Sequence, residues 1–430
     1  MATDCIVARY RIETALEPER VAEVIAGEQS SGTFLPVPGE TEELKGRARA
    51  RVIGVREMES VWMPSLPGGR KGASDRYRQA EIALSFPLAN VGSNLVTLLA
   101  TVCGNLYELA EHTGCKLLDL ELPLAFADRY AGPQFGIVGT RRLTGVEGRP
   151  ILGTIVKPSV GLSPEQTAGV VRGLVEAGID FIKDDELMAD PPHSPFEERV
   201  GAVMRVIDEL AERTGRRAMY AFNISDEIET MLRHHDLVVE AGGTCVMVSL
   251  HAVGLAGMLG LRRRSALPIH GHRNGWGMLT RHPLLGVEFA AWQKLWRLAG
   301  VDHLHVNGLR NKFWESDDSV VRSIEACLAP LYAPPGPAYS VMPVVSSGQW
   351  GGQAPETYRR CGTVDLMYLA GGGVMAHPGG FAAGVRALRE AWEAAVAGIS
   401  IEEYARDHGA LQQALEKFGA QSKEGMDGKS

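Results

Sequence analysis

A lysine followed by three carboxylates is the feature of this sequence that points most directly to chemistry. The run Lys183-Asp184-Asp185-Glu186 follows a short apolar stretch that predicts a buried strand. In a repeating β/α protein the carboxyl ends of the strands carry the active site. A buried lysine can act as a base or be covalently modified, and carboxylate oxygens are the ligands that Mg²⁺ prefers. Alone, the run also fits a solvated loop in which Lys183 neutralises its neighbours. The surrounding elements must therefore show whether the run is a functional site.

Short apolar stretches alternate with helical segments from about residue 150 onward, at the spacing of a β/α unit. The predicted strands span residues 152–157, 180–183, 218–223, 244–249, 267–272, 303–307, 340–346 and 365–370. Helix starts fit between them, as at Ser163-Pro164-Glu165, where serine predicts an N-cap and proline a first turn. Eight such units predict a closed (β/α)₈ TIM barrel over residues 141–430, with a helical extension at its C-terminal end.

Residues 1–140 lack this repeat. Alternating stretches at 5–12, 47–55 and 80–86, interleaved with helical runs near 18–26 and 93–100, predict an N-terminal α+β domain, a ferredoxin-like sandwich. The fold class is therefore α/β, with two domains.

Composition excludes several classes of protein. A net charge of -8 argues against a nucleic-acid or anionic-membrane binder, which needs clustered Lys and Arg. No apolar run reaches membrane-spanning length, and the first residues do not resemble a signal peptide. The six cysteines are scattered without a CxxC pair, which favours free thiols in a reducing cytoplasm. We expect a soluble cytoplasmic protein.

Polar groups follow six of the predicted barrel strands, and all would face the same rim. In chain order they are Lys157; Lys183, Asp185 and Glu186; His270, His272 and Arg273; His303 and His305; Ser346, Ser347 and Gly348; and Gly371-Gly372-Gly373. Glycines after the last two strands let backbone N–H groups approach a phosphate, although a plain turn is the alternative. His270 and His303, lower on their strands, fit core histidines equally well.

The segment after the sixth strand contains Asn307-Gly308-Leu309-Arg310-Asn311-Lys312. A Gly-containing loop that carries a lysine can close over a substrate and exclude water. An exposed loop with a solvated lysine fits the local sequence as well.

Taken together, these residues resemble the large subunit of ribulose-1,5-bisphosphate carboxylase and the RuBisCO-like proteins. The resemblance covers nearly the whole chain. Its motifs are Gly153-Thr-Ile-Val-Lys157, Lys183-Asp-Asp-Glu186, Ile269-His-Gly-His272-Arg273, Asp302-His-Leu-His305, Lys312, Ser346 and Gly371-Gly-Gly373, with Glu28-Gln-Ser-Ser-Gly-Thr33 and Gly104-Asn105 in the first domain.

The resemblance implies a CO₂-derived carbamate on Lys183 that binds Mg²⁺ with Asp185 and Glu186. It implies acid/base or lid roles for Lys157, His272 and Lys312. It also implies an obligate homodimer in which one subunit completes the partner's site. The resemblance implies that Arg273, His305 and Ser346 hold an anion, a phosphate or a carboxylate, at one end of the substrate. The phosphate at the other end would be held by Thr33, Gly348, Gly371 and Gly372, and the residues that come from the partner would be Glu28, Thr33 and Asn105.

Several residues depart from the carboxylases. Phe34 stands in place of a tryptophan, Ser159 in place of a lysine, and Trp276 in place of a histidine. The lid reads Lys312-Phe-Trp-Glu rather than KLEG. These departures favour a RuBisCO-like protein over a CO₂-fixing enzyme.

An enolate is the chemical species common to this family, because a hard cation beside a carbonyl stabilises charge on its oxygen. The interpretation that we favour is a decarboxylase of a 3-oxo sugar-acid phosphate, such as 3-oxo-isoapionate 4-phosphate. Alternatives are an enolase or isomerase of a methylthio-sugar phosphate and a residual ribulose-bisphosphate carboxylase. Outside the family, a Schiff-base aldolase using Lys157, a binuclear-metal amidohydrolase and a non-catalytic binding protein fit less well.

Overall fold

Two sheets organise the chain in the computed structural model, which describes residues 5–32, 37–73 and 75–427. The strands within those residues are β1 (Cys5–Thr14), β2 (Arg51–Val61), β3 (Tyr77–Pro87), β4 (Gly114–Glu121), β5 (Ile151–Ile155), β6 (Phe181–Lys183), β7 (Met219–Asn223), β8 (Cys245–Ser249), β9 (Ile269–His272), β10 (Leu285–Val287), β11 (His303–Asn307), β12 (Met342–Ser346) and β13 (Met367–Leu369).

The second sheet is a closed parallel barrel in the order β11-β12-β13-β5-β6-β7-β8-β9. It confirms the predicted fold class and all the predicted barrel strands, whose ends agree to within two residues. Apolar side chains fill its interior, as the alternation of a strand requires. Strands β7, β8, β12 and β13 contribute buried residues two apart, such as Met342 and Val344 on β12, and β6 contributes Phe181.

The first sheet has the order β10-β4-β1-β3-β2, antiparallel except where β10 lies parallel to β4. It confirms the predicted α+β character of the N-terminal part. By contacts, its unit comprises the chain up to Gly132 together with Gly275–Ala299 and Leu331–Ala338, and the remaining residues form the second unit. The domain boundary placed at residue 140 stays a prediction. Two later segments that it does not anticipate lie with the first unit.

Helices occupy most of the remaining chain. They are Pro18–Glu28, Glu42–Ala48, Leu88–Val91, Leu95–Val102, Ala125–Arg129, Gly136–Thr144, Pro164–Glu176, Phe196–Thr214, Ile228–Glu240, Leu250–Arg264, Trp276–Thr280, Phe289–Ala299, Asp317–Leu328, Ala354–Cys361, Gly371–Met375, Gly380–Ala397, Ile401–Tyr404 and Gly409–Asp427, with short 3₁₀ turns at Asn105–Glu108, Gly351–Gln353 and Ala405–Asp407. Ser163 caps its helix as predicted, accepting a hydrogen bond from the Gln166 N–H. All six cysteines are free thiols. None of the helices in the described ranges is long and apolar enough to cross a membrane.

Candidate active site

The polar residues at the carboxyl end of the barrel continue the same alternation that fills its core. Phe181 points into the interior, so Lys183, two residues later, lies above it on the same side. Ser346 stands in the same relation to Val344 on β12. The change from apolar to polar side chains along each strand therefore places a polar layer directly on an apolar one.

Lys183 is the buried centre of this polar layer. Its side chain is 1% exposed, and its Nζ donates to the Asp184 carbonyl oxygen at 2.9 Å and lies 3.3 Å from Glu186 Oε2. Burial lowers the pKa of Lys183, while the neighbouring carboxylates oppose that shift. A lysine with a lowered pKa holds more of the neutral amine, the form that reacts with electrophiles such as CO₂.

Asp184 differs in role from the two carboxylates that follow it. It accepts hydrogen bonds from Tyr220 Oη at 2.6 Å and from the backbone N–H of Asn223 at 3.0 Å, and it pairs with the buried guanidinium of Arg199. Its oxygens are therefore used inside the protein, and it anchors the start of the acidic loop. The sequence analysis did not identify Tyr220, Asn223 or Arg199, although an asparagine at the carboxyl end of the third barrel strand was an available signal.

Lys157 and Asp185 form an ion pair at the rim. Lys157 Nζ lies 2.6 Å from Asp185 Oδ2 and donates to Ser159 Oγ at 2.7 Å. The lysine side chain is 44% exposed, whereas that of Asp185 is 3% exposed. The other oxygen of Asp185 accepts the Leu187 N–H at 3.1 Å. Asp185 is thus oriented from both sides, with a cation at its solvent-facing edge.

Glu186 lies between Lys183 and His272. Its Oε2 is 3.5 Å from His272 Nε2, which favours the tautomer with hydrogen on Nε2. Burial would raise the pKa of Glu186, but the charges of His272 and Lys183 lower it to about 2. Burial, reinforced by Lys183, lowers the pKa of His272 to about 4. At neutral pH the site therefore holds an ionised Glu186 beside a neutral imidazole.

A chain of buried side chains crosses the barrel below this rim. His303 Nε2 lies 2.8 Å from Thr140 Oγ1, and the Nδ1 atoms of His303 and His270 are 3.3 Å apart. His270 Nε2 is 2.7 Å from His305 Nε2, and His305 Nδ1 is 3.3 Å from Ser346 Oγ. Burial lowers the pKa of each of these three histidines, that of His303 to about 3. His270 and His303 are fully buried, which agrees with their interpretation as core histidines.

Arg273 forms an ion pair with a buried carboxylate, that of Glu315. Its Nη2 donates to Glu315 Oε2 at 2.7 Å, and the side chains are 6% and 2% exposed. The same oxygen accepts the Asn307 side-chain amide at 2.6 Å, and Oε1 accepts the Ser319 hydroxyl at 2.8 Å. Glu315, which the sequence analysis named only as the last residue of the lid, therefore connects the segment after β9, the end of β11 and the helix Asp317–Leu328.

The glycines at the ends of β12 and β13 differ in what surrounds them. A Cβ on Gly372 would meet nothing within 4 Å, and one on Gly371 would meet only Ile155 Cδ1 at 3.8 Å, so these two face open space. A Cβ on Gly373 would instead lie 2.7 Å from Trp350 Cβ, so this glycine is required for packing. Gly348 has a φ of +81° and lies beside the exposed Lys312.

The predicted contributions of the N-terminal part stay predictions. Glu28 ends the helix Pro18–Glu28 and Asn105 begins a 3₁₀ turn, both in the first unit. Thr33, like Phe34, lies outside the described residues.

Comparison with known proteins places this geometry in a family. The chain matches the ribulose bisphosphate carboxylase large chain, its N-terminal domain over residues 2–126 and its catalytic domain over residues 136–418. It is 49% identical over 415 residues to a 3-oxo-isoapionate-4-phosphate decarboxylase from Rhizobium rhizogenes, covering 96% of this chain and 98% of the relative. It is 55% identical over 412 residues to a 3-oxo-isoapionate-4-phosphate transcarboxylase/hydrolase from Xanthobacter autotrophicus, covering 95% and 98%.

A solved structure indicates the same family as these relatives. A rubisco-like protein from Burkholderia fungorum is 48% identical, with a TM-score of 0.90, over 96% of this chain and 100% of that one. The chain belongs to the ribulose bisphosphate carboxylase large-chain family, among its RuBisCO-like members.

Proposed function

We propose that the protein is a Mg²⁺-dependent decarboxylase of a 3-oxo sugar-acid phosphate, with 3-oxo-isoapionate 4-phosphate as its substrate. The names of the relatives from Rhizobium rhizogenes and Xanthobacter autotrophicus support the substrate. The observation that carries the reaction type is the ion pair between Lys157 and Asp185 at 2.6 Å. It keeps an ammonium group, a proton donor, at the rim of the barrel.

The acidic loop fits a hard cation. Asp185 and Glu186 supply oxygen donors beside the buried Nζ of Lys183, and the lowered pKa of Lys183 favours the neutral amine that forms a carbamate with CO₂. We assign Mg²⁺ to these two carboxylates and the carbamate. When bound, the ion would stabilise negative charge on the oxygen of the substrate's 3-oxo group.

Decarboxylation requires a different set of protein groups from enolisation. When the bond to the carboxylate breaks, its electron pair moves to the 3-oxo oxygen, and CO₂ leaves without any C–H bond being cleaved. The resulting carbon then takes up one proton, which Lys157 can deliver as an ammonium group. Enolisation or carboxylation instead needs a base to remove a proton from carbon. The ion pair of Lys157 with Asp185 therefore favours decarboxylation, with the neutral His272 as the second candidate for proton transfer.

The glycines that face open space suggest where the phosphate of the substrate binds. We assign the phosphate to the backbone around Gly348, Gly371 and Gly372, together with Thr33, and we assign to Lys312 the closing of the lid. Arg273, His305 and Ser346 would contact the other end of the substrate. Glu28 and Asn105 would come from the partner in a homodimer, and the cytoplasm remains the predicted location.

A transcarboxylase/hydrolase is the second candidate, because the 55% identity to the Xanthobacter autotrophicus protein exceeds the 49% identity to the decarboxylase from Rhizobium rhizogenes. The two reactions differ in the fate of the carboxyl group. A decarboxylase releases it as CO₂, whereas a transcarboxylase keeps it in a non-volatile product.

Carboxyl-labelled 3-oxo-isoapionate 4-phosphate tests both candidates. With Mg²⁺ and bicarbonate, we expect the purified protein to release the label as CO₂, to lose activity in EDTA, and to be inactive as Lys183→Ala. Label retained in a new product would favour the second candidate. Unchanged substrate would contradict both.

The shared site is tested by mixing two inactive variants. Glu28→Gln and Lys183→Ala lie in different units, so a hybrid dimer of the two would contain one intact site if each site combines residues of both subunits. Random exchange of subunits would then restore about a quarter of wild-type activity. No restoration, with exchange shown by native mass spectrometry, would contradict a site shared in this way.

A further inference from the structure

The end of the site formed by Arg273, His305 and Ser346 carries no excess positive charge. The guanidinium of Arg273 and the carboxylate of Glu315 lie 2.7 Å apart, and both side chains are buried. His305 is engaged at both ring nitrogens, by His270 and by Ser346, within a chain of neutral imidazoles. A phosphate bound here would meet one cation that already has an anionic partner.

The connections of Glu315 make displacement by a ligand costly. It accepts hydrogen bonds from Arg273, Asn307 and Ser319, which come from three different segments of the chain. A phosphate that captured Arg273 would leave a buried carboxylate without its ion pair, and a carboxylate left in that state is strongly destabilising. A phosphate that bound beside the intact pair would place a dianion next to Glu315.

The opposite end of the site is different. Gly371 and Gly372 offer backbone without side chains in front of open space, and the exposed Lys312 lies next to Gly348. These groups have no neighbouring carboxylate among their described contacts. The two ends therefore differ in their capacity for a phosphate group.

We propose that Glu315 is a specificity residue that neutralises Arg273, so that this end of the site accepts an end of the substrate that carries no phosphate group. The enzyme then takes sugar monophosphates and discriminates against bisphosphates. Glu315 acts through Arg273 and does not itself contact the substrate. This inference rests on the proposed placement of a phosphorylated substrate at the barrel mouth, and it is independent of which reaction follows.

Ligands that cannot react test phosphate binding at the two ends of the site independently of the reaction. Xylitol 5-phosphate and xylitol 1,5-bisphosphate have no carbonyl group, so neither can form an enolate or lose CO₂. Their dissociation constants would be measured by isothermal titration calorimetry with Mg²⁺ and bicarbonate. We expect the wild-type protein to bind the monophosphate at least as tightly as the bisphosphate.

Glu315→Gln keeps the shape of the side chain and removes its charge. We expect it to shift the ratio of the two dissociation constants at least tenfold in favour of the bisphosphate. Arg273→Gln, added to Glu315→Gln, should abolish that gain. Glu325→Gln, an exposed change on the helix Asp317–Leu328, should keep the wild-type ratio.

Three results would overturn the inference. They are a wild-type protein that binds the bisphosphate at least tenfold more tightly, an unchanged ratio in a folded Glu315→Gln variant, and no measurable binding of either ligand. If Glu315→Gln does not fold, the wild-type ratio decides by itself. Failure of the enzyme to release CO₂ would leave these ratios unaffected.

Discussion

Replacing Thr140 by valine tests whether the buried histidine chain has a preferred direction. The Thr140 hydroxyl donates to the Gly136 carbonyl oxygen, so its oxygen accepts from His303 Nε2. The neutral His303 then has a free lone pair on Nδ1, which requires His270 to donate from Nδ1 and His305 to donate from Nε2. His305 Nδ1 is left as the acceptor for the Ser346 hydroxyl.

Valine has nearly the shape of threonine but no hydroxyl group. In Thr140→Val, either the Nε2–H of His303 stays in the core without an acceptor, or the whole chain reverses and Ser346 becomes the acceptor. An unsatisfied buried donor or acceptor costs about 1–3 kcal/mol. The reversed chain leaves a lone pair of His303 rather than an N–H without a partner, and it frees the Ser346 hydroxyl to donate to the Val306 carbonyl oxygen at 3.4 Å. We therefore expect the reversed chain to predominate, with a loss of about 1–3 kcal/mol in the free energy of unfolding.

The assay is ¹⁵N NMR of the ligand-free protein with labelled histidine, which distinguishes a protonated from an unprotonated ring nitrogen. We expect the Nδ1 resonance of His305 to change from unprotonated in the wild type to protonated in Thr140→Val. Thr140→Ser keeps the hydroxyl group and should keep the wild-type spectrum, although it loses a buried methyl group. Identical tautomers in all three proteins would refute the argument that Thr140 sets the direction.

Three further predictions concern charge. Asp180→Asn should lower the free energy of unfolding by about 1.5–3 kcal/mol, because the buried carboxylate accepts hydrogen bonds from two arginines and from the Leu152 N–H. Chemical denaturation measures this change, and Glu165→Gln in an exposed pair should cost under about 1 kcal/mol. Lys157→Met should lower kcat at least about 100-fold yet tighten Mg²⁺ binding in calorimetry, because it removes a cation 2.6 Å from Asp185; weaker binding would contradict this reasoning. Burial lowers the pKa of Lys183, so the neutral amine forms at a lower pH than in a free lysine. Activation at constant dissolved CO₂ should therefore become faster with pH and level off below the ordinary lysine pKa of about 10.4; a rate that falls with pH would exclude carbamate formation as the limiting step.

The sequence could predict the barrel because most of its strands, such as β8 and β12, are apolar runs that recur at the spacing of a β/α unit. β4 and β10 were not predicted, and for β10 the reason is physical. β10 has three residues and is a strand only because it pairs with β4. That pairing is supported by the buried Lys116, whose Nζ donates to the carbonyl oxygens of Thr280 and His282. Contacts between residues so distant in the chain leave no periodic signal.

In the candidate site, too, contacts between residues that are distant in the chain could not be predicted from the sequence. Spacing and residue type indicated Lys183, Asp185 and Glu186, because polar groups after five other predicted barrel strands would face the same rim. Nothing in the local sequence distinguishes Asp184, which faces inward, or Glu315, which neutralises an arginine on another strand. The sequence therefore predicts which groups are present, and the three-dimensional contacts determine which charges remain available to a ligand.

The charges that remain available to a ligand bear on whether the protein binds a bisphosphate or a monophosphate. The residues that a bisphosphate would need at both ends are present in the sequence, so composition alone favours two anionic ends. The ion pair of Arg273 with Glu315 removes the charge from one end, while the open backbone at Gly371 and Gly372 keeps the other available. Together with the proposed role of Lys157 as proton donor, this arrangement suits the proposed substrate, which has a single phosphate and loses a carboxyl group. The ion pair of Arg273 with Glu315 thus bears on the substrate, and the ion pair of Lys157 with Asp185 bears on the reaction.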